Sequence, residues 1–385
     1  MTEAGQPQQI LARLIAFDTT SSKSNLGLIE FVKAYLAGQG IDSALVPNPE
    51  GSKASLFATI GPADVGGIGL SGHTDVVPVA GQAWASDPFT MSERDGRLYG
   101  RGACDMKGFL AAVLAMVPEF KRRRLAVPIH LVFSYDEEVG CTGVRPMIGE
   151  LGARLPRPRL VIVGEPTGMR VVDAHKGPVR FQVTIKGRAA HSSMAHLGVN
   201  AISAAATLIG ELQRIEAELK AGVRDVRFTP DVTTLQVTTI EGGSASNIVP
   251  EHARFGWEMR LLPGVGSDGV EARLRELAER RLLPAMREVA ADADIVIERI
   301  NRVPAFLAGD ASEATSLALL LAGQNTTHAV SYGTEAGLFQ DAGVPAIICG
   351  PGDIAQAHAA DEFVEAAQID ACMEFLERLA AWASR

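Results

Sequence analysis

The nine residues Gly67–Asp75, GIGLSGHTD, combine a short apolar run with a histidine and an aspartate placed directly after it. Three more short apolar runs lie along the chain, at Ile129–Tyr135, Leu160–Gly164 and Ala346–Gly350. Continuous apolar runs of this length are typical of strands that are buried on both faces of a parallel sheet. We therefore predict that the four runs are strands of one such sheet.

Stretches with apolar residues at helical spacing lie around these runs. They are Gln8–Phe17, Leu28–Gly38, Lys107–Arg124 and Glu313–Gly323, and a further strand is expected at Ala54–Ile60. Buried strands that alternate with helices favour an α/β fold. We expect a mainly parallel sheet with helices on both faces.

The pattern changes between residues 179 and 300. Val179–Ile185 alternates with a period of two, which indicates a strand with one solvated face. The following predicted elements are Asn200–Lys220, Thr233–Thr239, Ala253–Leu261, Val270–Ala290 and Ala293–Ile300. Their β-α-β-β-α-β order is that of a ferredoxin-like unit. This predicts one domain formed by residues 1–178 and 301–385, and a second domain inserted over residues 179–300.

Composition excludes several classes of function. The 385 residues include 36 Lys and Arg against 45 Asp and Glu, a formal net charge of −9, which argues against nucleic acid or an anionic membrane as the main partner. No apolar run approaches the roughly 20 residues of a membrane-spanning helix. Met1–Ser21 lacks the pattern of a secretory signal, and the four cysteines form no CxxC pair. A cytoplasmic protein is expected.

Histidines and carboxylates follow the four predicted strands and one glycine-rich turn. The carboxyl ends of strands in an open α/β sheet form one edge, where ligands bind, so these side chains are expected together. The candidates are His73, Asp105, Glu165, His358 and a carboxylate of the segment Asp136-Glu137-Glu138. Two histidines and three carboxylates, one of them bridging, match the ligands of two divalent ions about 3.5–4 Å apart. Zinc suits such ligands, as do cobalt and manganese.

Each candidate alone has a simpler explanation. A histidine after a strand is often a loop residue, Asp105 could cap the helix that follows it, and the adjacent glutamates could form a solvated turn. Five such residues at one edge of one sheet are much harder to explain in this way. The constellation therefore favours a metal centre.

The same motifs carry a family resemblance. Together with Gly100–Gly108, GRGACDMKG, and Gly187–Ser192, GRAAHS, they resemble the dinuclear-metal amidohydrolase and peptidase family that includes acetylornithine deacetylase, succinyl-diaminopimelate desuccinylase, aminoacylase and glutamate carboxypeptidase. The resemblance extends over essentially the whole chain. It implies a zinc-peptidase-like catalytic domain, and an inserted domain that serves as lid and forms a homodimer.

The resemblance implies a role for each metal ligand. One ion would be held by His73, Asp105 and Glu165, and the other by Asp105, Glu138 and His358, so that Asp105 bridges the two. The ions would be two Zn²⁺, with Co²⁺ as the alternative. By the same resemblance the reaction is metal-assisted amide hydrolysis.

Two further residues beside these ligands receive roles. Glu137 would be the general base and acid, and Asp75 would orient His73 through a hydrogen bond. Because adjacent residues of a strand point in opposite directions, we do not expect Glu137 and Glu138 to bind the same ion. One of them can bind metal while its neighbour faces the attacking water.

The inserted domain would contribute the substrate contacts. By resemblance, His191 donates to the tetrahedral oxygen, often across a dimer, while Arg260 and Asn247 hold the substrate's α-carboxylate. Without the resemblance, a loop histidine and a solvated charge at a sheet edge explain His191 and Arg260 as well.

Three segments look most like the acetylornithine deacetylase branch, namely Gly140–Gly143, Gly333–Phe339 and Cys349–Gly352. They imply removal of the acetyl group from N2-acetyl-L-ornithine in arginine biosynthesis, with Glu335 meeting the substrate's ammonium group. The alternative within the family is succinyl-diaminopimelate desuccinylase or another N-acyl-amino-acid deacylase. An inactive metal-binding homologue would have lost a ligand or the base, and none is lost. A dinucleotide-binding protein would carry a GxGxxG motif after its first strand, and this sequence does not.

Overall fold

The computed structural model describes residues 6–309 and 311–385, and the chain divides into two compact units. The first unit consists of the chain up to Asp173 together with Phe306–His328 and Thr334–Arg385. The second consists of Ala174–Ala305 and Ala329–Gly333. The second unit thus begins before, and ends after, the predicted span of 179–300.

The helices and strands alternate through most of the chain. The helices are α1 (Pro7–Ile15), α2 (Leu26–Gly38), α3 (Gly108–Arg122), α4 (Val144–Gly149), α5 (Ala201–Ala221), α6 (Asp268–Leu277), α7 (Leu283–Val289), α8 (Glu313–Ala322), α9 (Ala336–Asp341) and α10 (Ala366–Ala383). The strands are β1 (Ser43–Pro47), β2 (Ala54–Ile60), β3 (Ile68–His73), β4 (Ser92–Arg94), β5 (Arg97–Tyr99), β6 (Ile129–Ser134), β7 (Leu160–Val163), β8 (Val172–His175), β9 (Gly177–Lys186), β10 (Thr234–Gly242), β11 (His252–Leu261), β12 (Asp294–Arg302), β13 (Phe306–Leu307), β14 (His328–Val330), β15 (Ala346–Ile348) and β16 (Phe363–Glu365).

The large sheet is mixed, and its strand order is β1-β2-β6-β3-β7-β15-β8-β13. The four predicted strands are its parallel centre, since β3 runs parallel to β6 and β7, and β15 runs parallel to β7. The flanks are antiparallel, between β1 and β2, β2 and β6, and β15 and β8. The sequence predicts a mainly parallel sheet, and this prediction is wrong for the flanks, which are antiparallel. An antiparallel strand buried on both faces, such as β2, has the same apolar sequence as a parallel one.

The core of the first unit surrounds α3. Residues Phe109 to Leu114 are buried in this helix, and its neighbours in the hydrophobic cluster include α1, α10 and the central strands. Such an apolar helix is stable because it is buried on most of its surface. Its first turn follows directly on the loop that carries Asp105.

The second unit has the predicted β-α-β-β-α-β order. Its four antiparallel strands lie in the order β10-β11-β9-β12, with α5 between β9 and β10 along the chain. The alternating residues Val179, Phe181, Val183 and Ile185 are all buried in its core. The single helix predicted over Val270–Ala290 is instead α6 and α7 joined by a wider helical turn.

Among the helices of the described residues, none has the length and apolar character needed to cross a membrane.

Candidate metal centre

The parallel strands place the predicted ligands at one edge of the sheet. His73 is the last residue of β3, and Glu165 comes two residues after β7. Glu138 follows the end of β6 at Ser134, and Asp105 lies in the loop before α3. Since β3, β6 and β7 are parallel, their carboxyl ends meet at the same edge.

Asp105 lies between the two histidines. Its Oδ1 is 3.0 Å from Nε2 of His73, and its Oδ2 is 3.1 Å from Nε2 of His358. Nε2 of His358 is also 3.1 Å from Oε1 of Glu138, and Nε2 of His73 is 4.0 Å from Oε1 of Glu165. All five predicted ligands therefore converge on one position.

Within the described residues, two groups of three side chains have the spacing needed to hold an ion. They are His73, Glu137 and Glu165, and His73, Asp105 and Glu138, and within each group the ligand atoms lie within 4.8 Å of one another. The first group contains Glu137, which the sequence predicts to be the base. Geometry alone therefore leaves two roles open for Glu137.

The expected reason for separating Glu137 from Glu138 is wrong. Strand β6 ends at Ser134, so the two glutamates lie in a turn, where side chains do not alternate. Asp136 adopts a left-handed φ of 55° and turns the chain out of the strand. The turn, not strand alternation, directs the two carboxylates.

Burial, together with neighbouring carboxylates that include Asp105, raises the pKa of Glu137 to about 8 and that of Glu138 to about 7. Burial also raises the pKa of Glu165 well above its usual range, and neighbouring carboxylates add to this effect. So many buried carboxylates are not all ionised unless a cation compensates them. The donor set, imidazole nitrogen and carboxylate oxygen, fits divalent metal ions such as zinc.

Asp75 contributes to the site in two ways. Nδ1 of His73 lies 2.9 Å from the backbone carbonyl of Asp75, whereas the nearer carboxylate oxygen is 3.5 Å away. Because a carbonyl oxygen only accepts, Nδ1 carries the proton, and in the neutral ring Nε2 is the nitrogen available for metal. The Asp75 carboxylate accepts hydrogen bonds from the backbone N–H of Glu137 at 3.1 Å and from the hydroxyl of Ser21 at 2.7 Å.

A glycine allows the close packing that brings these elements together. Gly164 separates β7 from Glu165, and a Cβ atom at this position would lie 2.1 Å from the Phe109 ring. Phe109 belongs to the first turn of α3, directly after the Asp105 loop. The missing side chain therefore lets β7 approach the start of α3.

The remaining predicted residues lie on the second unit. His191 is exposed, and its Nδ1 is 2.8 Å from the Ser193 hydroxyl. Asn247 is exposed on the adjacent segment, where its backbone carbonyl accepts from the N–H of Ser192 at 2.9 Å. Arg260 is half-buried and donates to Glu258 at 2.8 Å.

Arg260 and the pair His191–Asn247 belong to opposite ends of β11. Strand β10 pairs Gly242 with Ala253, next to the loop that carries Asn247, and Thr234 with Arg260 at the other end. Seven residues of extended strand correspond to about 23 Å. The second unit of one chain does not bring Arg260 together with His191 and Asn247.

The expected environment of Glu335 is corrected. Its side chain is only 1% exposed, and its two carboxylate oxygens accept hydrogen bonds from the hydroxyls of Ser71 and Ser134. These serines belong to β3 and β6. A carboxylate so enclosed holds two strands together and is not exposed to a substrate's ammonium group.

Sequence reasoning missed three residues around the centre. The thiol of Cys141 is 3.2 Å from Oε1 of Glu137, Ser21 donates to Asp75, and Glu362 accepts from the backbone N–H of Asp105 at 3.0 Å. Cys141 lies in Gly140–Gly143, one of the segments that carry the family resemblance, but Ser21 and Glu362 belong to no motif. Only their contacts identify them.

Comparison with known proteins gives the same family. The model of peptidase family M20/M25/M40 matches residues 69–382. Curated acetylornithine deacetylases from Myxococcus xanthus and Pasteurella multocida are 35% and 33% identical, and each alignment covers 96% of both chains. The crystal structure of an M20 family metallo-carboxypeptidase from Sulfolobus solfataricus has the same fold, with a TM-score of 0.78, 19% identity and full coverage of both chains. The chain therefore belongs to peptidase family M20/M25/M40 and is a metal-dependent hydrolase of amide bonds.

Proposed function

We propose that this protein removes the acetyl group from N2-acetyl-L-ornithine, giving L-ornithine and acetate for arginine biosynthesis. One observation carries the proposal. At one edge of the sheet, the Nε2 atoms of His73 and His358 lie 3.0–3.1 Å from carboxylate oxygens of Asp105 and Glu138. The curated relatives, identical at about one third of positions over nearly the whole chain, are acetylornithine deacetylases. The desuccinylase alternative is not favoured by these relatives.

The metal ligands in this proposal are His73, Asp105 and Glu165 for one ion, and Asp105, Glu138 and His358 for the other. Two divalent ions, zinc before cobalt, would polarise the amide carbonyl and lower the pKa of the attacking water. Asp75 supports the arrangement, because its backbone carbonyl fixes the His73 ring.

Glu137 moves the protons in this proposal. It takes a proton from the water that attacks the acetyl carbonyl, and it delivers a proton to the departing amine nitrogen of ornithine. Without the ions, burial raises the pKa of Glu137 to about 8, and the two cations would lower it toward neutral pH, where one group can both accept and release a proton. The Asp75 carboxylate fixes the backbone of this turn.

Three residues of the second unit act on the substrate in this proposal. His191 donates to the tetrahedral oxygen, and Arg260 and Asn247 bind the α-carboxylate. Because Arg260 lies at the opposite end of β11 from His191 and Asn247, one second unit cannot supply all three to one substrate. The active form in this proposal is therefore a homodimer, in which His191 and Asn247 come from the partner subunit.

The proposed partner is a small N-acyl amino acid, with no role for nucleic acid or membrane. The net charge of −9 supports this choice. A cytoplasmic location is also part of the proposal. All four cysteines are buried and free, as in proteins of reducing compartments.

The test of the proposal is a comparison of substrates with the zinc-loaded protein. We expect a higher kcat/KM for N-acetylornithine than for N-succinyl-diaminopimelate, measured as release of the free amine. N-acetylmethionine, which lacks the side-chain ammonium, serves as a third substrate. A higher kcat/KM for the succinyl substrate would overturn the assignment.

A further inference from the structure

A buried ion pair lies behind the Asp105 loop. Nη1 of Arg101 donates to Oε2 of Glu362 at 2.6 Å, and both side chains are 1% exposed. Surface ion pairs form readily anywhere, but fully buried charges occur only when they are paired and further hydrogen-bonded. The second oxygen of the Glu362 carboxylate, Oε1, contacts the Asp105 loop.

That oxygen holds the backbone of the loop. Oε1 of Glu362 accepts hydrogen bonds from the N–H groups of Cys104, at 2.9 Å, and Asp105, at 3.0 Å. Hydrogen bonds to an ionised carboxylate are about twice as strong as neutral ones. They fix the backbone from which the Asp105 side chain extends.

The same pair is connected to the second histidine. The other terminal nitrogen of Arg101, Nη2, donates to Oε1 of Gln82. Nε2 of Gln82 donates in turn to the backbone carbonyl of His358 at 2.8 Å. His358 is itself a half-exposed side chain on a loop, with a left-handed φ of 61°.

We propose that Glu362, paired with Arg101, is a positioning residue that sets the placement of Asp105 and His358 for metal binding. The Glu362 carboxylate fixes the backbone of Asp105. The Arg101 guanidinium, which is bonded to both Glu362 and Gln82, fixes the backbone of His358 through Gln82. The inference rests on the proposed function only in taking Asp105 and His358 as metal ligands. Glu362 is not one of the proposed ligands and acts through the backbone of Asp105, so we expect its effect to be on metal affinity.

The test measures the affinity of the purified protein for Zn²⁺ by competition with a chromophoric chelator. Glu362→Gln keeps the shape of the side chain but removes its charge, and Arg101→Lys keeps the positive charge but lacks the fork that reaches both Glu362 and Gln82. We expect Glu362→Gln to weaken binding of at least one ion by about 10–100-fold. Arg101→Lys should give a smaller loss in the same direction.

The matched control is Glu365→Gln. Glu365 lies three residues further along the same segment and forms an exposed ion pair with Arg97 at 3.9 Å. The metal affinity of the Glu365→Gln variant should equal that of the parent protein. With Co²⁺ in place of Zn²⁺, the visible spectrum should change for Glu362→Gln and Arg101→Lys but not for Glu365→Gln, which a loss of fold stability alone would not produce.

The outcomes separate the two proposals. If the parent binds no divalent ion, the proposed metal centre fails. If the parent binds two ions and a folded Glu362→Gln binds both as tightly with an unchanged Co²⁺ spectrum, the positioning role alone is refuted. Should Glu362→Gln not fold by circular dichroism, Arg101→Lys decides, and parent-like affinity in that variant overturns the inference.

Discussion

The thiol of Cys141 lies 3.2 Å from Oε1 of Glu137 and donates a hydrogen bond to it. Cys141 is buried and adopts a left-handed φ of 53°. The proposed base is therefore fixed through its backbone by Asp75 and through its carboxylate by Cys141. Its contact with the proposed base makes Cys141 a positioning residue and not merely a buried thiol.

We expect Cys141→Ala to lower kcat about twofold to tenfold, because a hydrogen bond of about 0.5–1.5 kcal/mol to the base is lost. Cys141→Ser, which keeps a donor, should retain most of the activity. Metal content should not change in either variant. Cys372→Ala is the control, since Cys372 is buried in α10 away from the site; an equal loss of kcat in that variant would show that the effect is one of general packing.

The roles of Glu137 and Glu138 are separated by metal analysis. Glu137→Ala should keep two ions and lose about 10²–10⁴-fold in kcat or more, because one group serves both proton transfers. Glu138→Ala should weaken one ion, since it removes one of that ion's three protein ligands. Elemental analysis beside kcat distinguishes these outcomes. If Glu137→Ala loses an ion while Glu138→Ala keeps both, the two roles are reversed. Such a reversal would be physically reasonable, because Glu137 lies close enough to His73 and Glu165 to bind an ion with them.

Subunit mixing tests the composite site. A mixture of inactive His191→Ala and inactive Glu137→Ala chains should recover about a quarter of the parent activity, because half of randomly paired dimers are hybrids with one intact site. His191→Ala mixed with Arg260→Ala should recover in the same way.

A third mixture provides the control. His191→Ala with Asn247→Ala should recover nothing, because those residues lie side by side and reach the same substrate from the same partner subunit. Subunit exchange is verified with tagged chains. Absence of recovery in all three mixtures would indicate a site built within one chain.

The packing at Gly164 predicts a further effect. Gly164→Ala places a methyl group 2.1 Å from the Phe109 ring. We expect a loss of about 1–3 kcal/mol in the free energy of unfolding, because the well-packed strand and helix must separate. The folded fraction should bind zinc more weakly, since Glu165 moves with the strand end. The control is Gly210→Ala in helix α5, where the new methyl group would lie in open space. This variant should keep its zinc affinity and be slightly more stable. Weakened zinc binding in it would contradict the packing argument.

The sequence by itself determined the central strands and the residues that follow them. Apolar runs of four to seven residues predicted β3, β6, β7 and β15, and all four form the parallel centre of the sheet. Parallel strands share one edge for their carboxyl ends, so the convergence of His73 with Glu165 followed from local patterns alone. The alternation in Val179–Ile185 predicted the core face of the second unit for the same reason, because strand periodicity is a local property.

Only the tertiary structure decided what depends on contacts between distant segments. Strand direction at the flanks does not alter an apolar pattern, so the antiparallel pairing of β2 was invisible in the sequence. The enclosure of Glu335 by Ser71 and Ser134 and the pairing of Arg101 with Glu362, 261 residues apart, likewise leave no local signal. A buried carboxylate and an exposed one are the same letter in a sequence, and only the packing around each decides whether it binds metal, moves a proton or holds a loop.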